Sequence, residues 1–376
     1  MRALAGGAGR GTDGARGLTR RAGPTAVLPD DTGASAIWVA QRVPTDHVTV
    51  LPNIFIVRDV DPDNAKDFLF SANMYRIAKA NGWWKEGEAL DFTATFSNGE
   101  YGHKYYSGRR IWAAYRLLAP SLGLNATYED YRQDRPYPFS VKPDAPVTPA
   151  DVMAVMRDVM AGTEFDMTKG LAAGAFGTPW RYTAGKGEAE VAGSWERSIA
   201  LFRTSVSYVI QLRDWLPDEV GAVVWYGPHG ADTTLYVPFP IGMTRVPAAY
   251  AEGSPLKLSR DSAFWAHRVV GNIANLKYSY MIKDIRLQQS LLEMAGAALV
   301  QDLDAHYQKH KDLDHISRAY RNFAEYVVGT WWSLEDQLLE KYADGFVNGE
   351  PEGYPAWWLK APGVGYQDGP GPGPGE

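Results

Sequence analysis

Residues 262–294 read SAFWAHRVVGNIANLKYSYMIKDIRLQQSLLEM, and they begin a stretch of about eighty residues whose spacing predicts helix. Apolar side chains recur there every three or four positions, which is the period of one helix face. We predict that one buried face carries Trp265, Val269, Ile273, Leu276, Tyr280, Leu287, Leu291 and Met294. A second apolar series predicts another long helix and comprises Ile316, Tyr320, Phe323, Val327, Leu334 and Leu338.

Strands are predicted ahead of these helices, in runs rich in β-branched and aromatic residues. The runs are AIWVAQRV (36–43), HVTVLPNIFIVRDV (47–60), 197–207, 222–226 and 233–239. Shorter helices are predicted over 65–81, over 108–118 and from Thr148, and GPHGAD (227–232) is typical of a hairpin connection. Because strands and helices fall in separate blocks, the order predicts an α+β fold.

Composition excludes several classes of protein. The net charge of −6 and the lack of a basic stripe argue against nucleic acid and anionic membranes as partners. No run approaches the ~18 apolar residues of a spanning helix, and the Gly/Arg-rich start lacks the apolar core of a secretory signal, so a cytoplasmic location is the default expectation. We predict low-complexity tails at 1–34 and 363–376 around one domain at 35–362.

Common catalytic and metal-binding patterns are weak or missing. The chain has no cysteine, which excludes disulfides, thiolate metal sites and a cysteine nucleophile supplied by this chain. His306 and His310 lie four residues apart with His315 beyond, but a solvated helix face explains them better than a metal. Thirteen tryptophans are compatible with a glycan-binding surface, although a large core is the simpler explanation. We expect no metal and no organic cofactor.

Two polar residues differ from their surroundings. Asn53 interrupts the apolar run HVTVLPNIFIV, and Arg181 follows the small residues of GLAAGAFGTPWRY (170–182). An amide or guanidinium in such a setting needs hydrogen-bond partners, so each is either structural or part of a site.

Five long segments resemble the dipeptidase A family of cysteine peptidases, which is related to the secernins and belongs to the N-terminal-nucleophile hydrolases. They are WVAQRVPTDHVTVLPNIFIVRDVD (38–61), FDMTKGLAAGAFGTPWRY (165–182), WERSIALFRTSVSYVIQLRDWLP (195–217), VVWYGPHGADTTLYVPFPIGMTRVPAAYAEG (223–253) and SAFWAHRVVGNIANLKYSYMIKDI (262–285). The resemblance runs in a consistent order from about residue 36 to about residue 358.

The resemblance implies a four-layer αββα sandwich and cleavage of dipeptides through an N-terminal cysteine, whose α-amino group serves as the base. This chain has no cysteine, so we expect an incomplete sandwich with long C-terminal helices. We expect a dipeptidase-family hydrolase that is truncated and inactive as given. The alternatives are a non-catalytic, secernin-like binding or scaffold protein and, third, a glycan-binding module.

Site residues are also implied by the resemblance. Asn53 matches an asparagine that donates its amide to the oxyanion, and Arg181 matches an arginine that assists near the nucleophile. His229 and Asp232 are candidates for lining the substrate groove, although an exposed turn explains them equally well. The expected partner is a short peptide. Missing first-layer strands would leave an exposed sheet edge, so a homo-oligomer is a further possibility.

Overall fold

The computed structural model describes residues 36–97, 104–127, 137–182, 191 and 195–361. The chain divides into two compact units, Met1–Asp151 with Ser194–Arg197, and Val152–Gly193 with Ser198–Glu376. The predicted tails at 1–34 and 363–376 lie outside the described residues, and the single domain at 35–362 stays a prediction. None of the helices described is both long enough and apolar enough to cross a membrane.

The first unit combines short strands with short helices. Its elements are β1 Val39–Gln41, β2 Asp59–Val60, β3 Phe68–Phe70, α1 Met74–Ala80, β4 Leu90–Asp91, α2 Phe92–Phe96 and α3 Arg109–Leu118, which a π-helical turn at Lys104–Gly108 precedes. Strand β1 pairs antiparallel with β3, and β2 pairs with β4. The core of this unit is apolar and contains Ile37, Val60, Met74, Ile77, Ala78, Leu90, Phe92 and Phe96.

Two predictions in the first unit are wrong. The strand expected over 47–60 is present only as a bridge at Val48 and as β2 at Asp59–Val60, because the chain bends at Pro52 and Asn53, and Asn53 has a φ of 67° that strand residues do not adopt. The helix expected over 65–81 begins only at Met74. Residues Phe68–Phe70 form strand β3 instead, since β1 supplies their hydrogen-bond partners. The helix predicted over 108–118 is confirmed as α3.

The second unit contains the larger sheet and the long helices. Its elements are α4 Pro149–Met156, most of which lies in this unit, β5 Val206–Leu212, α5 Asp218–Gly221, β6 Ala222–Pro228, β7 Val237–Pro240, α6 Ala248–Ala251, α7 Ala263–Ala274, α8 Tyr278–His310, α9 Leu313–Tyr342, β8 Phe346–Val347, β9 Glu350–Pro351 and α10 Ala356–Lys360. The predicted α+β fold with long C-terminal helices is therefore confirmed.

An antiparallel sheet in the order β5-β6-β7 packs one face against the long helices. Val209, Val223 and Trp225 of this face contact a core that α8 and α9 complete with Val300, Leu303, Ile316 and Tyr320. Strand β5 begins at Val206 and not at residue 197. The backbone before it is used elsewhere, since the N–H of Ala200 donates to the Asp158 carbonyl at 3.0 Å.

The two predicted helix faces have different outcomes. The series on α9 is confirmed, with Ile316, Tyr320, Val327, Leu334 and Leu338 buried. The series on α7 and α8 is buried only in part, because Trp265, Val269, Ile273 and Tyr280 are half-buried, whereas Leu276, Leu287, Leu291 and Met294 are exposed. The buried seam lies on the neighbouring face and contains Ala266, Val270, Ala274, Tyr278, Met281, Ile285 and Leu292. Its small residues allow the helices to approach closely, which a search for large apolar residues does not detect.

Candidate functional site

Residues 229–236 connect β6 to β7, and they form a buried polar segment at the sheet. The exposed turn considered for this segment is wrong, because His229 is 6% exposed and Asp232 is 1% exposed. His229 has a φ of 68° and donates its backbone N–H to the Ser205 carbonyl at 2.9 Å. Buried polar groups need partners, and the surrounding elements supply most of them.

The Asp232 carboxylate joins two segments that are distant in sequence. Its Oδ2 atom accepts from Trp180 Nε1 at 3.1 Å and from the Tyr278 hydroxyl at 3.2 Å. Burial raises the pKa of Asp232, and the hydrogen bond from Trp180, the charge of Arg286 and the hydrogen bond from Tyr278 oppose that shift. Asp232 therefore ties the GTPWRY segment to the first turn of α8.

Helix α8 holds the same connection through further polar side chains on one face. Gln289 donates to the Thr234 carbonyl at 2.6 Å, and Glu293 accepts from the backbone N–H of Tyr236 at 2.9 Å. Arg157 pairs with the Glu293 carboxylate and also donates to the Thr234 carbonyl at 3.0 Å. These bonds satisfy backbone groups that the sheet ladder leaves unpaired.

A glycine of α7 lies against the His229 end of the connection. A Cβ atom built on Gly271 would meet Thr233 Oγ1 at 2.7 Å and His229 Nδ1 at 3.2 Å. Neither of those two polar atoms has a hydrogen-bond partner among the described residues. Burial lowers the pKa of His229 to about 3, and the charges of Arg268 and His267 act in the same direction. His229 is therefore neutral at physiological pH.

Arg181 holds the glycine-rich segment that precedes it. Its guanidinium donates to the carbonyls of Thr178 at 2.7 Å, Trp180 at 3.2 Å and Met167 at 2.5 Å. Burial lowers the pKa of Arg181. The residue that precedes Arg181 links this segment to the buried connection: the Trp180 ring contacts His229, and Trp180 Nε1 donates to Asp232.

Asn53 lies in the other unit, where Arg110 orients its side chain. Nη1 and Nη2 of Arg110 each donate to Asn53 Oδ1 at 3.0 Å, and Nη2 also donates to the Pro52 carbonyl at 2.8 Å. With Oδ1 occupied in this way, the amide nitrogen Nδ2 is directed away from the guanidinium. Asn53 is an exposed residue, and within the described part of the chain no side chain or carbonyl accepts a hydrogen bond from its amide.

The three histidines considered as metal ligands lie together at the junction of α8 and α9. The His306 ring centroid is 4.4 Å from that of His310 and 4.2 Å from that of His315. The rings of His306 and His315 stack at 25°, an arrangement that does not aim their nitrogens at one point. Within the described ranges, no group of three or more His, Cys, Asp or Glu side chains is arranged to hold a metal ion.

Several residues of these networks were not predicted from the sequence. Arg110, Arg157, Tyr278, Gln289 and Glu293 look like ordinary helix or loop residues when read alone. Their signal is positional, since Gln289 and Glu293 lie one helical turn apart next to the buried Ile285 and Leu292.

Family membership follows from a match over most of the chain. Residues 27–290 match the sequence model of Peptidase family C69, and the chain belongs to this family. The match includes Asn53, Arg181, His229 and Asp232, and it confirms the resemblance drawn from the motifs.

Individual relatives carry dipeptidase names. The chain is 25% identical over 259 residues to a probable dipeptidase of Latilactobacillus sakei, covering 69% of this chain and 50% of the relative. It is 22% identical over 313 residues to probable dipeptidase A of Streptococcus pyogenes serotype M3, and this match covers 80% of this chain and 60% of the relative. Dipeptidase A of Lactobacillus helveticus is 20% identical over 309 residues, and this match covers 81% of this chain and 60% of the relative. The chain thus spans between half and three fifths of the length of these relatives.

Proposed function

We propose that this protein acts on dipeptides, and that Asn53 is the group of this chain that donates to the peptide carbonyl. The observation that carries the proposal is the Asn53–Arg110 contact, which holds the amide oxygen of an exposed asparagine and so fixes the orientation of its N–H donors. A preoriented N–H donor is what an oxyanion requires, because it need not reorganise during the reaction. The dipeptidase names of the relatives support a short peptide as the ligand.

In this proposal, the named side chains of the second unit hold their own backbone in place and do not react with the peptide. Arg181 and Asp232 act as positioning residues that hold the segment ending in Trp180. A substrate-lining role for His229 and Asp232 stays a prediction, since both side chains are buried. No cysteine is present, so this chain supplies no thiolate nucleophile and we expect it to bind dipeptides without cleaving them.

The Asn53 proposal predicts the effect of a glycine substitution on dipeptide binding. Asn53→Gly removes the amide without straining a backbone at φ 67°, so the affinity for alanyl-alanine measured by calorimetry is expected to fall about tenfold. Asn348→Gly is the matched control, because Asn348 is also exposed and has a φ of 54°. Equal affinity for the Asn53→Gly variant and the unmodified chain would contradict the proposal.

We further propose that the chain forms a homodimer through strand β5. His229 N–H donates to Ser205 O and Arg213 N–H donates to Gly221 O, so the odd-numbered residues of this strand face β6. The even-numbered residues Val206, Tyr208, Ile210 and Leu212 therefore direct their N–H and C=O groups to the outer edge. The side chains of Tyr208, Ile210 and Leu212 are about half exposed.

A second copy fits this edge better than a charged partner. Strand β5 reads VSYVIQL and has no ionisable side chain except the weakly acidic Tyr208, so two chains of net charge −6 meet there without facing charges. The outer edge of β7 is unsuited to pairing, because Pro238 and Pro240 have no N–H to donate. If two β5 strands pair antiparallel about a twofold axis at Val209, Val206 lies opposite Leu212 of the second copy and Tyr208 lies opposite its Ile210. All four even-numbered residues then take part in the pairing.

A charge on β5 is expected to separate the dimer. Ile210→Lys places an ammonium opposite Tyr208 of the second copy and diagonally next to the second ammonium, so light scattering after size exclusion is expected to give about 41.5 kDa in place of twice that mass. Leu256→Lys is the control, since Leu256 is 94% exposed and lies outside the sheet. A monomeric unmodified chain, or an Ile210→Lys variant that stays dimeric, would overturn the edge assignment.

A further inference from the structure

The turn that follows β5 presents an exposed tryptophan beside an exposed carboxylate. Trp215 is 73% exposed, and the neighbouring Asp214 is also an exposed residue. Within the described part of the chain, neither side chain makes a hydrogen bond, an ion pair or a ring contact. Trp215 is not an isolated apolar residue, since it follows the half-exposed Tyr208, Ile210 and Leu212 of β5 along the chain. Such a continuous exposed apolar region indicates a surface that a partner covers.

The backbone of this turn is held in place by its own contacts. Leu216 donates its N–H to the Arg213 carbonyl at 3.2 Å, and Arg213 donates its N–H to the Gly221 carbonyl at 2.7 Å. The Arg213 guanidinium pairs with the Asp304 carboxylate of α8. Because the backbone is fixed, Trp215 loses little conformational freedom when it meets a partner.

The turn that precedes β5 carries the opposite charge. Arg203 is exposed, and among the described residues its guanidinium has no hydrogen bond, ion pair or aromatic contact. The N–H of Thr204 donates to the Leu201 carbonyl at 3.0 Å and closes the turn. The Phe202 ring packs on the buried Trp180, with 6.3 Å between the ring centroids. Arg203 is therefore also presented on an anchored backbone.

We propose that Arg203 of one copy binds Asp214 and Trp215 of the second copy in the β5 homodimer. The inference rests on the homodimer proposed above and adds the contact that fixes its register. Antiparallel strands place the start of each strand next to the end of its mate. With a twofold axis at Val209, the turn that precedes one β5 therefore lies beside the turn that follows the other. The twofold axis repeats the contact, so each dimer contains it twice.

The chemistry of the three side chains favours this contact. A guanidinium donates two parallel N–H groups to a carboxylate, and its flat face stacks on an indole ring. A register displaced by two residues would keep the strand hydrogen bonds but would move Arg203 by about 7 Å relative to Asp214 of the second copy. The contact therefore selects one register among those that the uncharged sequence of β5 allows.

A charge exchange tests the contact through the dissociation constant of the dimer. Arg203→Asp and Trp215→Ala are each expected to raise this constant about tenfold, as measured by sedimentation equilibrium over a dilution series. Arg203→Asp combined with Asp214→Arg exchanges the two charges, so the double variant is expected to return to within about threefold of the unmodified chain. Arg245→Asp is the matched control, because Arg245 is an exposed arginine that follows β7 at the far edge of the same sheet.

The outcomes separate this contact from the dimer itself. If Ile210→Lys separates the dimer while Arg203→Asp leaves the dissociation constant unchanged, the contact is overturned and the β5 dimer stands. A double variant that dimerises as weakly as Arg203→Asp alone would overturn the pairing of Arg203 with Asp214. A chain that is monomeric at every concentration would overturn both proposals. Recovery of the dimer in the double variant would also show that neither substitution disturbs the fold.

Discussion

Replacing Asp232 with alanine is expected to lower the free energy of unfolding by about 2 to 5 kcal/mol. The change removes the acceptor of both Trp180 Nε1 and the Tyr278 hydroxyl, and these two donors stay buried. Each buried donor without an acceptor costs about 1 to 3 kcal/mol. Urea unfolding followed by circular dichroism measures the loss, and tryptophan fluorescence reports the release of Trp180.

Asp232→Asn is the matched control for this prediction. The asparagine oxygen accepts from both donors, and the substitution removes a charge whose burial already raises the pKa of the carboxyl. We therefore expect Asp232→Asn to remain within about 1 kcal/mol of the unmodified chain. Equal stability of the alanine variant and the asparagine variant would show that Asp232 does not hold the connection.

Replacing Gly271 with alanine is expected to destabilise the protein by about 1 to 3 kcal/mol, although alanine is the better helix former. The new Cβ would lie 2.7 Å from Thr233 Oγ1, closer than a methyl group and a hydroxyl approach. Thr233 and His229, which it meets, are buried, so they have little room to move aside. Thermal and urea unfolding both measure this effect.

Gly329→Ala is the control, and it is expected to change the free energy of unfolding in the opposite direction. Gly329 is an exposed residue inside α9, and nothing lies within 4 Å of a Cβ built on it. Alanine there is expected to raise the free energy of unfolding by about 0.5 to 1 kcal/mol. A stabilising effect at both positions would contradict the close approach of α7 to the β6–β7 connection.

The long helices could be predicted from the sequence because the periodicity of apolar residues is strong in long helices. The α9 series was identified correctly, since its large apolar residues are also its buried ones. On α7 and α8 the same reasoning chose a face that is half-buried on α7 and largely exposed on α8. There the buried seam uses Ala266, Gly271 and Ala274, and large side chains such as Leu287 point outward.

Only part of the candidate site could be predicted from the sequence. The resemblance predicts a role for Asn53, but the orientation of its side chain by Arg110 depends on a contact between residues 57 positions apart. His229 and Asp232 are predicted together as groove residues, whereas their burial depends on side chains of α8 that follow at least 46 residues later. Sequence spacing does not report such contacts, because they form only when the chain folds.

We propose that this chain binds dipeptides at Asn53, which Arg110 orients, and supplies no thiolate to cleave them. The most direct test is to titrate alanyl-alanine into the full chain at near-neutral pH while free alanine is measured in the same samples. We expect saturable binding that Asn53→Gly weakens, with no alanine released above the rate in buffer. Absence of binding, or alanine release that Asn53→Gly abolishes, would contradict the proposal.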